Sequence, residues 1–293
     1  MVENGIKIQG SKSFHYRRIN KINFRSPAFI IGILILFILL NIAIFQDWLS
    51  LLTYEEAIVY SLDHFSPPSL DHPLGTSYRG LDVISRLIFG TRTTLVLVGT
   101  SNLIALFFGL IVGTLAGFYG GWIDIILMRI MDVILSFPGI ILAILFLVIY
   151  GNKTTNIIIV FGIMGIPYIA NIIRSCFLKQ KELPYIDSAK IVGASKFRII
   201  YKHILPNCIE QTVVAVSFNC CRTILNLSVL AFFRLGNPIG VDWSSDLVMA
   251  IGHVIDAPWA VFSPVLMIIS CILAFLLIGD GLRDMYSLKE SNF

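Results

Sequence analysis

Apolar residues in this chain come in long runs rather than in short alternations. Six stretches, with cores near 27–45, 94–118, 133–150, 156–173, 208–233 and 261–278, are almost free of charge. Each approaches the ~20 residues that cross ~30 Å of hydrocarbon as a helix, with every backbone hydrogen bond made internally. The pattern predicts an all-α membrane protein with six transmembrane helices. Pro138 and Gly139 interrupt the third stretch, and Gly162, Gly165 and Pro167 the fourth. Breaks of this kind are tolerated where protein or water covers the freed backbone groups, so they predict water-facing kinks or irregular packing. In the second stretch Gly109, Gly113, Gly117 and Gly121 recur every four residues. That spacing lines one side of a helix with small residues and predicts the close approach of a neighbour.

Composition agrees with the pattern. The 293 residues are 56% hydrophobic and 14% charged, against roughly 25% charged in soluble chains. A net charge of +4 is too small to indicate nucleic-acid binding, and its placement is more telling. Lys7, Lys12, Arg17, Arg18, Lys21 and Arg25 precede the first run. Arg174, Lys179, Lys181, Lys190, Lys196, Arg198 and Lys202 lie in or beside the loop between the fourth and fifth. Acidic residues concentrate elsewhere: Asp47, Glu55, Glu56, Asp63, Asp71 and Asp82 after the first run, Asp242, Asp246 and Asp256 before the last. Basic loops stay on the cytosolic side, which predicts cytosolic termini and a cytosolic 174–207 loop. The chain then divides into a basic tail, 1–26, a membrane domain, 27–283, and a short tail, 284–293. The first run has no Ala-x-Ala site after it and reads as a retained anchor in lipid.

Candidate chemistry is sparse. His15, His64, His72, His203 and His253 form no His-Glu-x-x-His pair, and no Gly-x-Ser-x-Gly elbow occurs. Gly5 to Ser13 resembles a phosphate loop, but its lysine comes one residue late and no strand precedes it. No catalytic, cofactor-binding or metal-ligating residue is therefore assigned, and any ATP dependence requires another chain. Cys176, Cys208, Cys220, Cys221 and Cys271 lack metal spacing and are expected to be small apolar packers without a disulfide framework. One charge stands near the middle of a membrane run: Arg222, near Asn219, Thr223, Asn226 and Ser228. An uncompensated Arg at mid-bilayer costs at least ~2.5 kcal/mol. It must contact protein or line a watery path, and Asn219, Arg222 and Asn226 are the candidates for that path. Asn41 and Thr100 are expected to bond between helices.

The 174–207 loop carries Asp187-Ser-Ala-Lys-Ile-Val-Gly193 and ends in His203-Ile-Leu-Pro-Asn207. A short amphipathic helix can start after Pro184 with Tyr185, Ala189 and Val192 toward the protein. Gly193 permits a turn or a close approach, and Pro206 can open the next helix. Asp187, Ser188, Ala189, Gly193, Leu205 and Pro206 resemble the Glu-Ala-Ala, three residues, Gly, spacer, Leu-Pro motif of binding-protein-dependent ABC importer permeases. His72-Pro-Leu-Gly-Thr76, Asp82-Val-Ile-Ser-Arg-Leu87, Gly117-Phe-Tyr-Gly-Gly-Trp122, Phe137-Pro138, Pro258-Trp-Ala-Val-Phe-Ser-Pro264 and Leu277-Ile-Gly-Asp-Gly-Leu-Arg-Asp284 extend the similarity from residue 72 to 284. The chain resembles the C-type subunit of the dipeptide, oligopeptide and nickel family.

That resemblance implies a type I importer permease fold in which the Asp187 segment is a cytosolic coupling helix. It further implies a second, homologous permease as heterodimer partner and two ATP-binding subunits that hold ATP and Mg2+. An extracellular solute-binding lipoprotein would deliver cargo in a bacterial cell membrane. Peptides are the first expectation for cargo, and nickel or a metal chelate the alternative; a stand-alone transporter or channel would lack the ATPase partners. Departures fall at Ser77, Leu81, Leu227, Arg234 and Leu276. Leu227 stands where many peptide permeases carry Glu, and Arg234 where Gly is common.

Overall fold

The computed structural model describes residues 26–59, 63–235 and 240–287. The basic residues of the N-terminal tail and the last six positions lie outside the described residues. The apolar runs fold as helices. α1 (Pro27–Ile44) opens with proline in its first turn, where a missing N–H leaves no bond unmade. α2 (Gln46–Leu49) and α3 (Tyr54–Ala57) are single turns, and in α3 the Thr53 hydroxyl and the Glu56 carboxylate cap each other's backbone N–H. α4 (Val83–Tyr119) starts at Asp82, whose Oδ2 accepts the Ser85 N–H at 2.8 Å. It begins well ahead of residue 94, so the second helix is longer than its apolar core.

α5 (Gly121–Ser136) and α6 (Gly139–Tyr150) replace the single third span, meeting at a bend of 84°. Phe137 is extended because the ring of Pro138 crowds the helical conformation of the residue before it. The fourth stretch does the opposite of what its glycines suggested: α7 (Thr154–Lys181) runs unbroken through Pro167. α8 (Pro184–Ile191), α9 (Lys196–Arg198) and a π-helical turn, Ile199–Ile204, lead into α10 (Leu205–Phe232). α11 (Trp243–Ala250) and α12 (Pro258–Ser287) complete the chain. Among the described residues five helical runs can cross a membrane by length and composition, and six if the bent α5–α6 pair counts as one span. The bundle therefore has a loop end, bearing α8 and α9, and a cap end, bearing α3 and α11.

Packing centres on α4 against α7. A Cβ on Gly109, Gly113 or Gly117 would stand 2.8 Å from Ile169 Cγ2, 2.6 Å from the Ala170 carbonyl oxygen or 2.5 Å from Phe177 Cβ. From the other side, a Cβ on Gly162 or Gly165 would meet Ile104 at 2.8 Å or Ala105 at 2.7 Å. These glycines are contact points, which is why α7 does not break at them. The row stops at Gly117, because α4 ends at Tyr119 and Gly121 opens α5 at φ 56°. α1 lies along α12 in the same way, with Gly32 on the Ala274 carbonyl and Gly281 on Phe29. α10 joins the two halves, burying Cys220 and Ile224 beside Cys271 of α12. Asn41 and Thr100 make no bridge: each bonds a carbonyl one turn back in its own helix, Phe37 at 2.7 Å and Val96 at 2.6 Å.

Gly113→Leu should push α4 from α7 and cost on the order of 1–3 kcal/mol, read as a lower melting temperature of the purified protein. Gly99, also on α4, meets nothing within 4 Å, so Gly99→Leu should not lower the melt. Equal melts for the two variants would refute this account of the glycine row.

Candidate functional site

Three polar constructions stand out, and the first is the segment joining α7 to α10. In α8 the side chain sealed against the bundle is Ile186, fully buried among Ile173, Phe177 and Ile204. Tyr185 is half-buried and its hydroxyl donates to Gln180 Oε1 at 2.7 Å. Val192 corrects the sequence expectation: it is 87% exposed, beside Ile191 at 86%. The helix ends before a third inward position is reached, since the Ala194 N–H returns to the Ala189 carbonyl at 3.0 Å. Gly193 makes that return at φ +82° with open space around it, so within this chain its need for glycine is the left-handed turn. Asp187 and Ser188 are exposed, with Asp187 paired to Lys190 at 2.9 Å, and Ala189 is half-buried. The Phe197 and Tyr201 rings meet at a tilt, centres 4.3 Å apart, on the same exposed tip. Pro206 lies in the first turn of α10, but Leu205 and Pro206 continue directly from the π-helical turn and so close no loop.

A second correction concerns the roots of this segment. Cys176 and Cys208, expected to be separate packers, form a disulfide with Cα atoms 5.8 Å apart. Sequence spacing could not show it, because the pair is made by α7 and α10 packing side by side. Cys220, Cys221 and Cys271 are free and buried as expected.

The second construction lies inside the α10 run. Asn219 faces α4, donating to Asn102 Oδ1 at 2.7 Å, while Asn102 donates to Thr223 Oγ1 at 3.3 Å. Both are buried, so this part of the polar set bonds helix to helix. Arg222 diverges from them: it is exposed, with its guanidinium carbon 5.3 Å from the centre of the Tyr168 ring of α7. Asn226 is half-buried. Arg174, by contrast, holds Asp124 of α5 through both carboxylate oxygens, at 2.5 and 2.6 Å.

The third construction, at the cap end, went unrecognised in the sequence. Arg86 of α4 donates through Nε to Asp246 Oδ1 at 2.6 Å and reaches the Ala57 carbonyl of α3 at 3.4 Å. Asp242 caps α11, accepting the Ser244 and Ser245 N–H groups at 3.1 and 3.0 Å. Trp243 is fully buried and donates to the Leu87 carbonyl at 3.0 Å. Burial pushes the Asp242 carboxyl up to about 6, against the Ser245 hydrogen bonds that pull it down. Burial also raises Asp246, opposed by Arg86. The signal for the cap was present as an acidic pair four residues apart after α10 and one arginine before residue 94. The apolar core alone left that arginine outside the helix.

Comparison with known proteins turns on residues 109–289, which match the family described as binding-protein-dependent transport system inner membrane component. The chain belongs to that family. It is a permease subunit of an ABC importer, a multi-pass inner-membrane protein. A glutathione transport system permease protein GsiD from Pectobacterium atrosepticum is 38% identical over 251 residues, covering 85% of this chain and 83% of the relative. A dipeptide transport system permease protein DppC from Alkalihalophilus pseudofirmus is 34% identical over 256 residues, covering 87% and 84%. Among solved structures, an inward-facing MetNI methionine ABC transporter chain aligns with a TM-score of 0.56 at 18% identity, covering 69% of this chain and 95% of the other. That likeness concerns the fold. The permease fold accounts for one departure noted above: Arg234 stands at φ 58°, a left-handed conformation that glycine adopts without strain. Leu227, where many peptide permeases carry Glu, is buried against α6 and α7 in this permease.

Asp242 gives a pH test of the cap. Its folded value lies above its ordinary 3.8, so the protonated form favours the folded state. That contribution is complete below the ordinary value and is lost as pH rises through about 6. Asp242→Asn keeps the cap and removes the titration. The variant should melt like wild type near pH 4 and gain on it by roughly 1 kcal/mol per pH unit between about 4 and 6. A pH-independent difference would refute the shift.

Proposed function

We propose that this permease forms half of a heterodimeric pathway that imports short peptides, with ATP and Mg2+ held by two partner ATPase subunits. The observation that carries the coupling role is the tip of the α8–α9 segment. Ile191, Val192, Phe197 and Tyr201 are all exposed there, ringed by Lys190, Lys196, Arg198 and Lys202. Apolar side chains standing clear of the bundle at such a place need a partner to cover them. The basic ring is a poor match for the hydrocarbon interior but suits a cytosolic subunit. Asp187, Ser188, Ala189 and Gly193 shape the tip, and Leu205 and Pro206 pass its displacement into α10.

The positive-inside rule puts the loop end and both tails in the cytosol; the cap end then faces the solute-binding lipoprotein. Residues 1–26 and 284–293 act as tails to the membrane domain. Arg222 and Asn226 line the translocation path, and Asn219 holds their helix against α4. The printed names of the relatives, glutathione and dipeptide permeases, support peptide cargo over a metal chelate.

Photo-crosslinkers placed at Ala189 and Val192 should each capture an ATPase subunit in an actively transporting complex. Capture at neither position would reject docking by this segment. Cargo is tested on the binding protein of the same system, purified with its natural ligand. Mass spectrometry should find short peptides, and a metal chelate without peptide would reject the peptide reading.

A further inference from the structure

We infer that Arg222 is an anion-recognising group of the pathway, one that takes the carboxylate of a short peptide as it crosses. This rests on the peptide reading above. Among the described residues no carboxylate lies within ion-pair distance of Arg222, whereas Arg174 at the loop end holds Asp124 and Arg86 at the cap end holds Asp246. Asp280 of α12 lies on the Cys221 side of α10 and makes no ion pair with Arg222. α4, α6 and α7 contain no Asp or Glu at all, and the acidic residue of α10 is Glu210, about three turns away. A cation this deep in the membrane run is expensive without a counter-charge, so the anion comes from outside this chain.

The setting fits a transient anion. The Tyr168 ring, 5.3 Å from the guanidinium carbon, stabilises the cation without supplying a negative charge. The guanidinium fork matches the two oxygens of a carboxylate, which an ammonium cannot do. Its exposure keeps the desolvation low enough for release. Asn102, Asn219 and Thr223 bond to one another on the buried side, which fixes the register of α10 and with it the place of Arg222. Every peptide with a free C-terminus carries the required group, whatever its side chains.

The test compares trialanine with its C-terminal amide, each saturating the binding protein, in proteoliposomes holding the complete complex. The binding protein is a separate chain, so an Arg222 variant alters only events in the membrane. Arg222→Gln should slow uptake of the free acid about tenfold, leave the amide within about twofold, and co-purify with its partners as wild type does. Arg222→Lys should fall between. An acid-to-amide ratio unchanged in Arg222→Gln, including an equal loss for both peptides, would overturn the proposal and make Arg222 a subunit-pairing or structural residue. Wild-type complexes that move neither peptide would reject peptide cargo itself and this inference with it, an outcome separate from an unchanged ratio.

Discussion

The contact between α4 and α7 is the constraint on which the rest of the structure depends. Lipid tails are as apolar as leucine, so helices in a membrane gain little from mere burial and hold together by close fit. Here the fit is made by leaving side chains out. Three glycines of α4 let Ile169, Ala170 and Phe177 come against its backbone, and two glycines of α7 do the same for Ile104 and Ala105. A glycine in a helix interior costs about 1 kcal/mol relative to alanine, and the repeated sacrifice is offset by contact along most of both helices. With α4 and α7 fixed, the Asn102–Asn219 bond can fix α10, and the groups on α10 acquire defined places.

Most polar groups inside the bundle are closed within the chain; the buried Ser85 and Thr94 hydroxyls of α4 are not, and neither is Arg222. Many serines and threonines bond carbonyls of their own helices, as Ser101 does with Leu97 and Thr212 with Cys208. Asparagines bond each other, and Arg174 and Arg86 find carboxylates. Such local closure is what a medium without water demands. Arg222 is not closed in this way by the described residues, and its ring contact leaves the charge uncompensated. The contrast singles it out more firmly than its depth alone.

Much of this was legible in the sequence, because hydrophobic length is a one-dimensional property. The positions of five of the six spans, the packing role of Gly109, Gly113 and Gly117, and the short helix after Pro184 all follow from spacing and turn chemistry. What spacing could not show was anything requiring two helices at once. Gly162 and Gly165 looked like breaks because a missing side chain signals flexibility until the neighbour that fills the space is known. Cys176 and Cys208 looked unrelated for the same reason. Arg86, Asp242 and Asp246 looked like solvated loop charges, whereas the long N-terminal extension of α4 carries Arg86 beneath α11 and buries all three. Val192 failed on a subtler point: the amphipathic pattern ran on, but the helix stopped at Ile191.

The π-helical turn at Ile199–Ile204 sets the register in which the loop end joins α10. A π turn holds an extra residue compared with the α-helix that continues it. Resolving it into α-helix would rotate everything ahead of it by about 100° and advance it by about 1.5 Å relative to α10. The disulfide at Cys208 pins the α10 side of that joint to α7, whereas the exposed tip on the other side carries no such tether. The segment is thus held by Ile186, Ile199, Ile200 and Ile204 at its base, and the extra residue of the π turn sets the angle at which its exposed tip leaves α10.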